Sequence, residues 1–223
     1  MSLPLVSDVM TATRALMSDV GNSGAGECYD DTILLPFVAR SYRYAGRYLR
    51  AKGVGIVRKQ SAAIVVTSGQ TTLTRSPGAA PNFPADMLRP IEVRERPTGG
   101  AVGTYKTMRV NDGFFPDQAL GTELKIWDWR LDQLITPGST TSSIDVQIQY
   151  EADLPALTTV GDSILIPDSI DALANLAAAC AAASRDEQAN ATALQTLGER
   201  DLDLLAASEL LIRKAQGARW GGQ

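Results

Sequence analysis

The alternation of apolar and polar positions divides the chain into two helical ends and a sheet-like middle. Residues 6–19, VSDVMTATRALMSD, repeat apolar residues at helical spacing and predict a short first helix. The glycine-bearing VGNSGAGE follows as a loop, and then DDTILLPFVARSYRYAGRYLRAKG predicts a second helix. Asp30 or Asp31 can cap its start, Pro36 falls in its first turns and Gly53 is a natural stop. Leu34, Phe37, Val38, Ser41, Ala45, Tyr48 and Leu49 share one face. Arg40, Arg43, Arg47 and Arg50 share the other, so the helix is strongly amphipathic and carries an arginine ridge.

From Val54 to about Val160 the pattern changes to short runs broken by Gly and Pro. GIVRKQSAAIVVTSGQTTLTR has a hairpin signal at Ser68-Gly69, and DMLRPIEVRERP, GTYKTMRV, LKIWDW and QLIT predict further strands. SIDVQIQYEAD is the cleanest strand. Ile144, Val146, Ile148 and Tyr150 point one way, while Asp145, Gln147, Gln149 and Glu151 point the other, which predicts a sheet with one wet face. Trp127, Trp129 and Leu131 fit the dry face of a neighbouring strand. Trp127, Trp129, Ile144, Val146, Ile148 and Tyr150 are therefore the expected core of the β region. A dedicated binding site is the alternative for the two tryptophans.

Two further helices close the chain. Asp168 or Ser169 opens one, with Ile170, Leu173, Ala177, Cys180, Ala181 and Ser184 on one stripe; its many alanines let a partner helix approach closely. The last is expected from about Ala189 to Gln216. Leu194, Leu197, Leu204, Leu205, Leu211 and Ile212 form its main face, and Leu202 and Leu210 lie off it as spare apolar surface. The final GARWGGQ is Gly-rich and expected to be unordered alone. The predicted class is α+β: a four-helix bundle built from N- and C-terminal helix pairs, with a small antiparallel β sheet or sandwich inserted. Its expected parts are residues 1–53 and 161–216 for the helix pairs, 54–160 for the β insertion and 217–223 for a flexible tail.

Composition narrows the function. The 223 residues are 44% hydrophobic and 21% charged, ordinary for a globular protein with a real core. No apolar run approaches the roughly 20 residues that span a membrane, and the opening MSLPLVSDVM lacks the pattern of a signal peptide. Cys28 and Cys180 are isolated and read as small buried hydrophobes rather than a disulfide framework. The net charge of −4 does not indicate a general nucleic-acid binder. The distribution says more: Thr32 to Ala85 holds eight basic residues and no acidic one, so all 25 acids lie elsewhere. Like molecules with such a split can attract one another head to side.

Candidate chemistry is sparse. The absence of histidine removes the commonest general base and zinc ligand. GNSGAG, residues 21–26, lacks the Lys-Ser/Thr ending of a phosphate loop and reads as a turn. Pro116-Asp117 ahead of Glu123-Leu124-Lys125 resembles the Pro-Asp…Glu-x-Lys signature of magnesium nucleases, in which two carboxylates hold the metal and a lysine polarises water. The usual spacing is longer, and flanking helix pairs are the wrong architecture. Asp201 and Asp203 lie on different faces of the last helix and read as solvated charges. No metal and no cofactor are expected.

Nearly the whole chain resembles the head-to-tail adaptor (connector) proteins of tailed bacteriophages. The resemblance runs through DDTILLPFVARSYRYAGRYLRAKGV, VTSGQTTLTR and NFPADMLRPIEVRERPTG. It continues through LGTELKIWDWRLDQLITPGSTTSSIDVQIQYEADLPALT and GDSILIPDSIDALANLAAACAAA, then the long last helix. It implies a structural virion protein and no enzyme. Subunits would form a ring of about twelve copies under the portal protein, extending the DNA channel and offering a docking surface for tail or neck proteins such as tube, nozzle or fibres. The chain would be made in the host bacterial cytoplasm and reside at the head–tail interface of the virion.

In that setting Arg40, Arg43, Arg47 and Arg50, with Leu202 and Leu210, are the expected subunit–subunit interface. A solvated helix face is the alternative for the arginines. Protein contacts are preferred over DNA contacts for the ridge, because tight phosphate binding would hinder sliding DNA. Arg213, Lys214, Arg219 and Trp220 form a basic tail with one aromatic, expected as a portal-binding anchor; the alternative has Trp220 folded back on the helices. Another neck or tail-completion protein and the magnesium nuclease are the competing functions.

Overall fold

The computed structural model describes residues 3–17, 29–78, 80–101, 103–111, 121–130, 132–138 and 140–220, with side chains as far as Leu211. Among them are four helices and two five-stranded sheets, a mixed α+β protein. The chain divides into two compact units: Met1–Ile56 with Leu154–Gln223, and Val57–Asp153.

The first unit is helical. α1 (Val6–Leu16) starts where Asp8 accepts the Leu5 N–H at 2.8 Å. In α2 (Asp31–Ala51) the cap is Asp30, which accepts the Ile33 N–H at 3.0 Å. The helix ends as Gly53 takes φ +82°. The Gly53 N–H reaches the Arg50 carbonyl and the Val54 N–H reaches that of Leu49, each at 2.9 Å, which satisfies the last free carbonyls. α3 (Ile170–Ser184) is buried on nearly every side, with Ala172, Ala174, Ala177, Ala178, Ala181 and Ala182 all inside. Alanines leave no bulk to hold a neighbour away, so α4 (Gln188–Trp220) approaches through its own small residues. A Cβ on Gly198 would stand 2.7 Å from Leu176 and 3.1 Å from the Ala172 carbonyl.

That close approach reverses the expected orientation of α4. Leu202 is fully buried, with Ala191, Gly198 and Ala206 beside it, so it is not spare surface for a neighbour. Leu197, Leu204 and Leu211, assigned to the inner face, are 46%, 62% and 66% exposed. The helix also continues to Trp220, so the stretch from Gly217 to Trp220 is helical rather than an unordered tail. A long helix already nucleated adds residues at little cost, and one Gly opposes this by only about 1 kcal/mol.

The second unit holds one core between two sheets. In the first sheet, β10 (Ile144–Ala152) pairs antiparallel with β5 (Met87–Pro97) on one side, and with β1 (Arg58–Gln60) and β2 (Ile64–Val66) on the other. β6 (Lys106–Thr107) extends the β5 edge. The second sheet runs β4 (Asn82–Phe83), β3 (Thr72–Arg75), β9 (Gln133–Ile135), β8 (Ile126–Arg130), β7 (Arg109–Val110). The predicted hairpin at Ser68-Gly69 is a turn, with Gly69 at φ +83°, but its flanking strands pair elsewhere: β2 joins β10 and β3 joins β9.

The even positions Ile144, Val146, Ile148 and Tyr150 face the core as their alternation requires. The opposite face of β10 is not uniformly wet. Asp145 and Glu151 are buried, each under an arginine from β5: Arg96 at 3.1 Å and Arg89 at 2.7 Å. Glu95 of β5, also buried, accepts the backbone N–H groups of Leu124 and Lys125 at 2.6 and 2.8 Å, tying the start of β8 to the first sheet. Trp127 is buried in this core with no acceptor for its Nε1 among the described residues. Trp129 is half-buried at the margin of the core, its ring 5.4 Å from that of Phe83.

Candidate functional site

The helical unit presents its unusual chemistry on the outer faces of α2 and α4. Three elements of α2 settle what each face does. Leu34, Val38, Tyr42, Ala45 and Leu49 go inward. Tyr44, Tyr48 and Lys52 turn toward α4, and Arg40, Arg43 and Arg47 stand exposed in solvent. Arg50 is half-buried. Among the described residues Arg40 and Arg47 have no ion-pair partner, and Arg43 reaches only its own Ala39 carbonyl at 3.4 Å.

The seam between α2 and α4 takes up the described acids nearest those arginines. The Tyr44 hydroxyl donates to Glu199 Oε1 at 2.6 Å, and that acceptor pushes the phenol up to about 12. The same bond, with one from Gln195, holds Glu199 below the usual carboxylate range. Tyr48 donates to Asp203 at 3.0 Å, and Lys52 pairs with the same oxygen at 2.9 Å. Lys52 first, then Tyr48, keep Asp203 ionised below its ordinary value. Asp203 is thus not a free solvated charge. Neither is Asp201, which accepts the Asn175 amide at 3.2 Å. These acids are committed to holding α4 in place.

On the far side of α4, Leu197, Leu204 and Leu211 recur every seven residues and lie in solvent, and Leu210 is partly exposed. Sequence reasoning placed this stripe inward. The signal that identifies the true inner face is the run of small residues at Ala191, Gly198 and Ala206, which suits an alanine-rich partner.

Of the residues expected at the subunit interface, the exposed ones are Arg40, Arg43, Arg47 and Leu210. The expected anchor residues Arg213, Lys214, Arg219 and Trp220 lie on the helical backbone of α4, with side chains outside the described residues. Cys28, the GNSGAG stretch and Asp117 are outside the described residues as well. Glu123 of the nuclease-like pattern is paired with Lys106, and Lys125 takes φ +63°. Among the described residues no group of three acidic or sulfur ligands is placed to hold a metal ion. No described helix is long and apolar enough to cross a membrane.

The site is therefore a surface: a basic ridge, an apolar stripe and a seam of committed acids. Such features recognise other macromolecules by shape and charge. No curated protein matches the chain. The pattern of the SU10 adaptor proteins matches residues 5–222, nearly the whole length. A surface built for contact and a match of that extent agree: the chain belongs to the SU10 adaptor protein family, structural adaptors of bacteriophages.

Proposed function

We propose that this chain is the head-to-tail adaptor of a tailed phage. About twelve copies form a ring beneath the portal, extend the DNA channel and present a docking surface to tail or neck proteins. The observation that carries this reading is the outer surface of the helical unit. Leucines seven residues apart in solvent are costly on a free monomer, and exposed arginines with no ion-pair partner among the described residues are available to a repeated joint. Weak contacts multiplied around a ring give a stable connection without any single tight site.

The parts have different tasks in this reading. The arginine ridge contacts a neighbouring subunit, and DNA passes through the channel without sequence-specific binding, since tight phosphate contacts would impede it. Arg213, Lys214, Arg219 and Trp220, at the end of α4, anchor the subunit on the portal. The β unit offers its surface to tail or neck components, and its internal ion pairs keep that surface stiff. No catalytic step or cofactor enters this role. The subunits are made in the host cytoplasm and end in the virion.

The test is the native mass of the purified protein, alone and mixed with the portal ring of the same phage. Addition of about twelve copies to the portal is expected, and removal of the anchor by Trp220→Ala should lower the occupancy. A chain that ignores the portal but binds a tail tube would instead be a neck or tail-completion protein.

A further inference from the structure

A groove between α1 and α3 has no part in the contacts described so far. It is lined by Ala12, Ala15 and Leu16 of α1 and by Asp171, Ala174 and Asn175 of α3, and holds about 430 Å³. Its small side chains allow a helix to come close. The hydrogen bond from Asn175 to Asp201 brings α4 alongside. Leu197 and Leu204, four residues before Asp201 and three after it, lie on the same flank of α4 and are exposed. Asp171 is exposed and has no ion-pair partner among the described residues. An alanine floor, an apolar flank and two carboxylates thus meet in one place.

The complement to this surface is on the same chain but on another side of the unit. α2 meets α3 around Leu176, Cys180 and Ala183, which line a separate cavity with Ser41 and Tyr44. The groove residues Asp171, Ala174 and Asn175 occupy a different face of α3. Arg40 borders that cavity, while Arg43 and Arg47 are exposed and line neither it nor the groove, with the exposed Ile33 and Tyr44 also on α2. Ridge and groove therefore cannot meet within one chain, and they are opposite in charge.

We propose that the α1–α3 groove of one subunit receives the α2 ridge of the next copy of this chain. Asp171 faces Arg43 and Arg47, while Leu197 and Leu204 cover the apolar margin of the ridge. Because the two patches differ, the contact is head-to-tail and propagates, closing into a ring when the rotation between copies permits. This rests on the ring reading above and names the surfaces that make it.

The experiment compares Asp171→Arg, Arg47→Glu and the two together, with Leu204→Glu as a variant independent of charge. All three positions are exposed, and thermal unfolding checks that each variant folds. Self-association is measured by sedimentation velocity, with and without the portal ring. Each single variant should weaken association by about tenfold or more, and the charge-swapped pair should recover most of the loss. Single variants that assemble like the parent overturn the groove assignment and leave the ring reading standing. Weakening without rescue by the pair also overturns it, since the groove then receives something else. A parent protein that never gathers more than one copy, even on the portal, removes the ring reading itself.

Discussion

The two units treat charge in opposite ways. In the β unit five of the ten strands carry an arginine or lysine closed onto an acid of the same unit. Arg75 holds Asp132, Arg89 holds Glu151, Arg94 holds Glu92, Arg96 holds Asp145 and Lys59 holds Asp86. Glu95, without such a partner, is used to hold two backbone amides. In the helical unit Glu199 and Asp203 of α4 are taken by tyrosines and a lysine, and Arg40, Arg43 and Arg47 of α2 have no ion-pair partner among the described residues. A unit that neutralises itself is a stiff platform. The helical unit instead keeps one sign of charge on an exposed ridge.

The contrast is broken most strongly at Glu95. Glu95→Ala leaves the Leu124 and Lys125 amides without their acceptor in a buried setting, an expected loss of about 3 kcal/mol. Hydrogen exchange should show that loss across β5 and β8, with the helical unit unchanged. Next is Gly198→Leu, which forces bulk into the α3–α4 contact and should cost about 2–3 kcal/mol. There the fast exchange should appear in α3 and α4 and spare the β unit. Third, Asp30→Ala removes the α2 cap, read as a lower melting temperature of the helices.

Acid provides the mildest probe, and it acts on both units. Backbone N–H groups of Thr158 and Thr159 hold the Asp162 carboxyl down at about 2, and Asp30, Glu199 and Asp203 are also lowered. A carboxyl lowered by folding stabilises the fold above its unfolded value, near 4, and loses that contribution as pH falls through its folded value. Asp86, Glu92, Glu123 and Asp132 of the β unit are lowered as well, so both units should lose stability from about pH 4 toward pH 2. Tyrosine gives the alkaline counterpart. Tyr44 is raised to about 12 by its bond to Glu199, and Tyr150 to about 12 by burial and then by its bond to Asp86. Their stabilisation is full below about 10 and lost as pH rises toward 12. Tyrosinate absorbance and circular dichroism followed together would show late ionisation coupled to unfolding.

How far the sequence could be read depended on the range of the interaction involved. Local ones were legible. Asp30 ahead of an amphipathic run and Gly53 behind it define α2, because caps are satisfied within a turn of the chain. Strict alternation from Ile144 to Tyr150 orients β10, because period two leaves one possible buried face. The outward arginines of α2 follow from the same periodic logic.

Choices between equally apolar or equally polar alternatives were not legible. α4 carries leucines on more than one stripe, and only the close packing of Gly198 against Ala172 and Leu176 turns Leu202 inward and Leu197, Leu204 and Leu211 outward. Asp145 and Glu151 look like solvent-facing positions until Arg96 and Arg89 from the paired strand cover them. The turn at Gly69 resembles a hairpin locally, yet its strands join different sheets, β2 with β10 and β3 with β9. The chain's own pattern thus settled where helices and strands begin and which positions are amphipathic. Which stripe faces inward and which charges are neutralised within the chain were decided by packing between segments far apart in sequence.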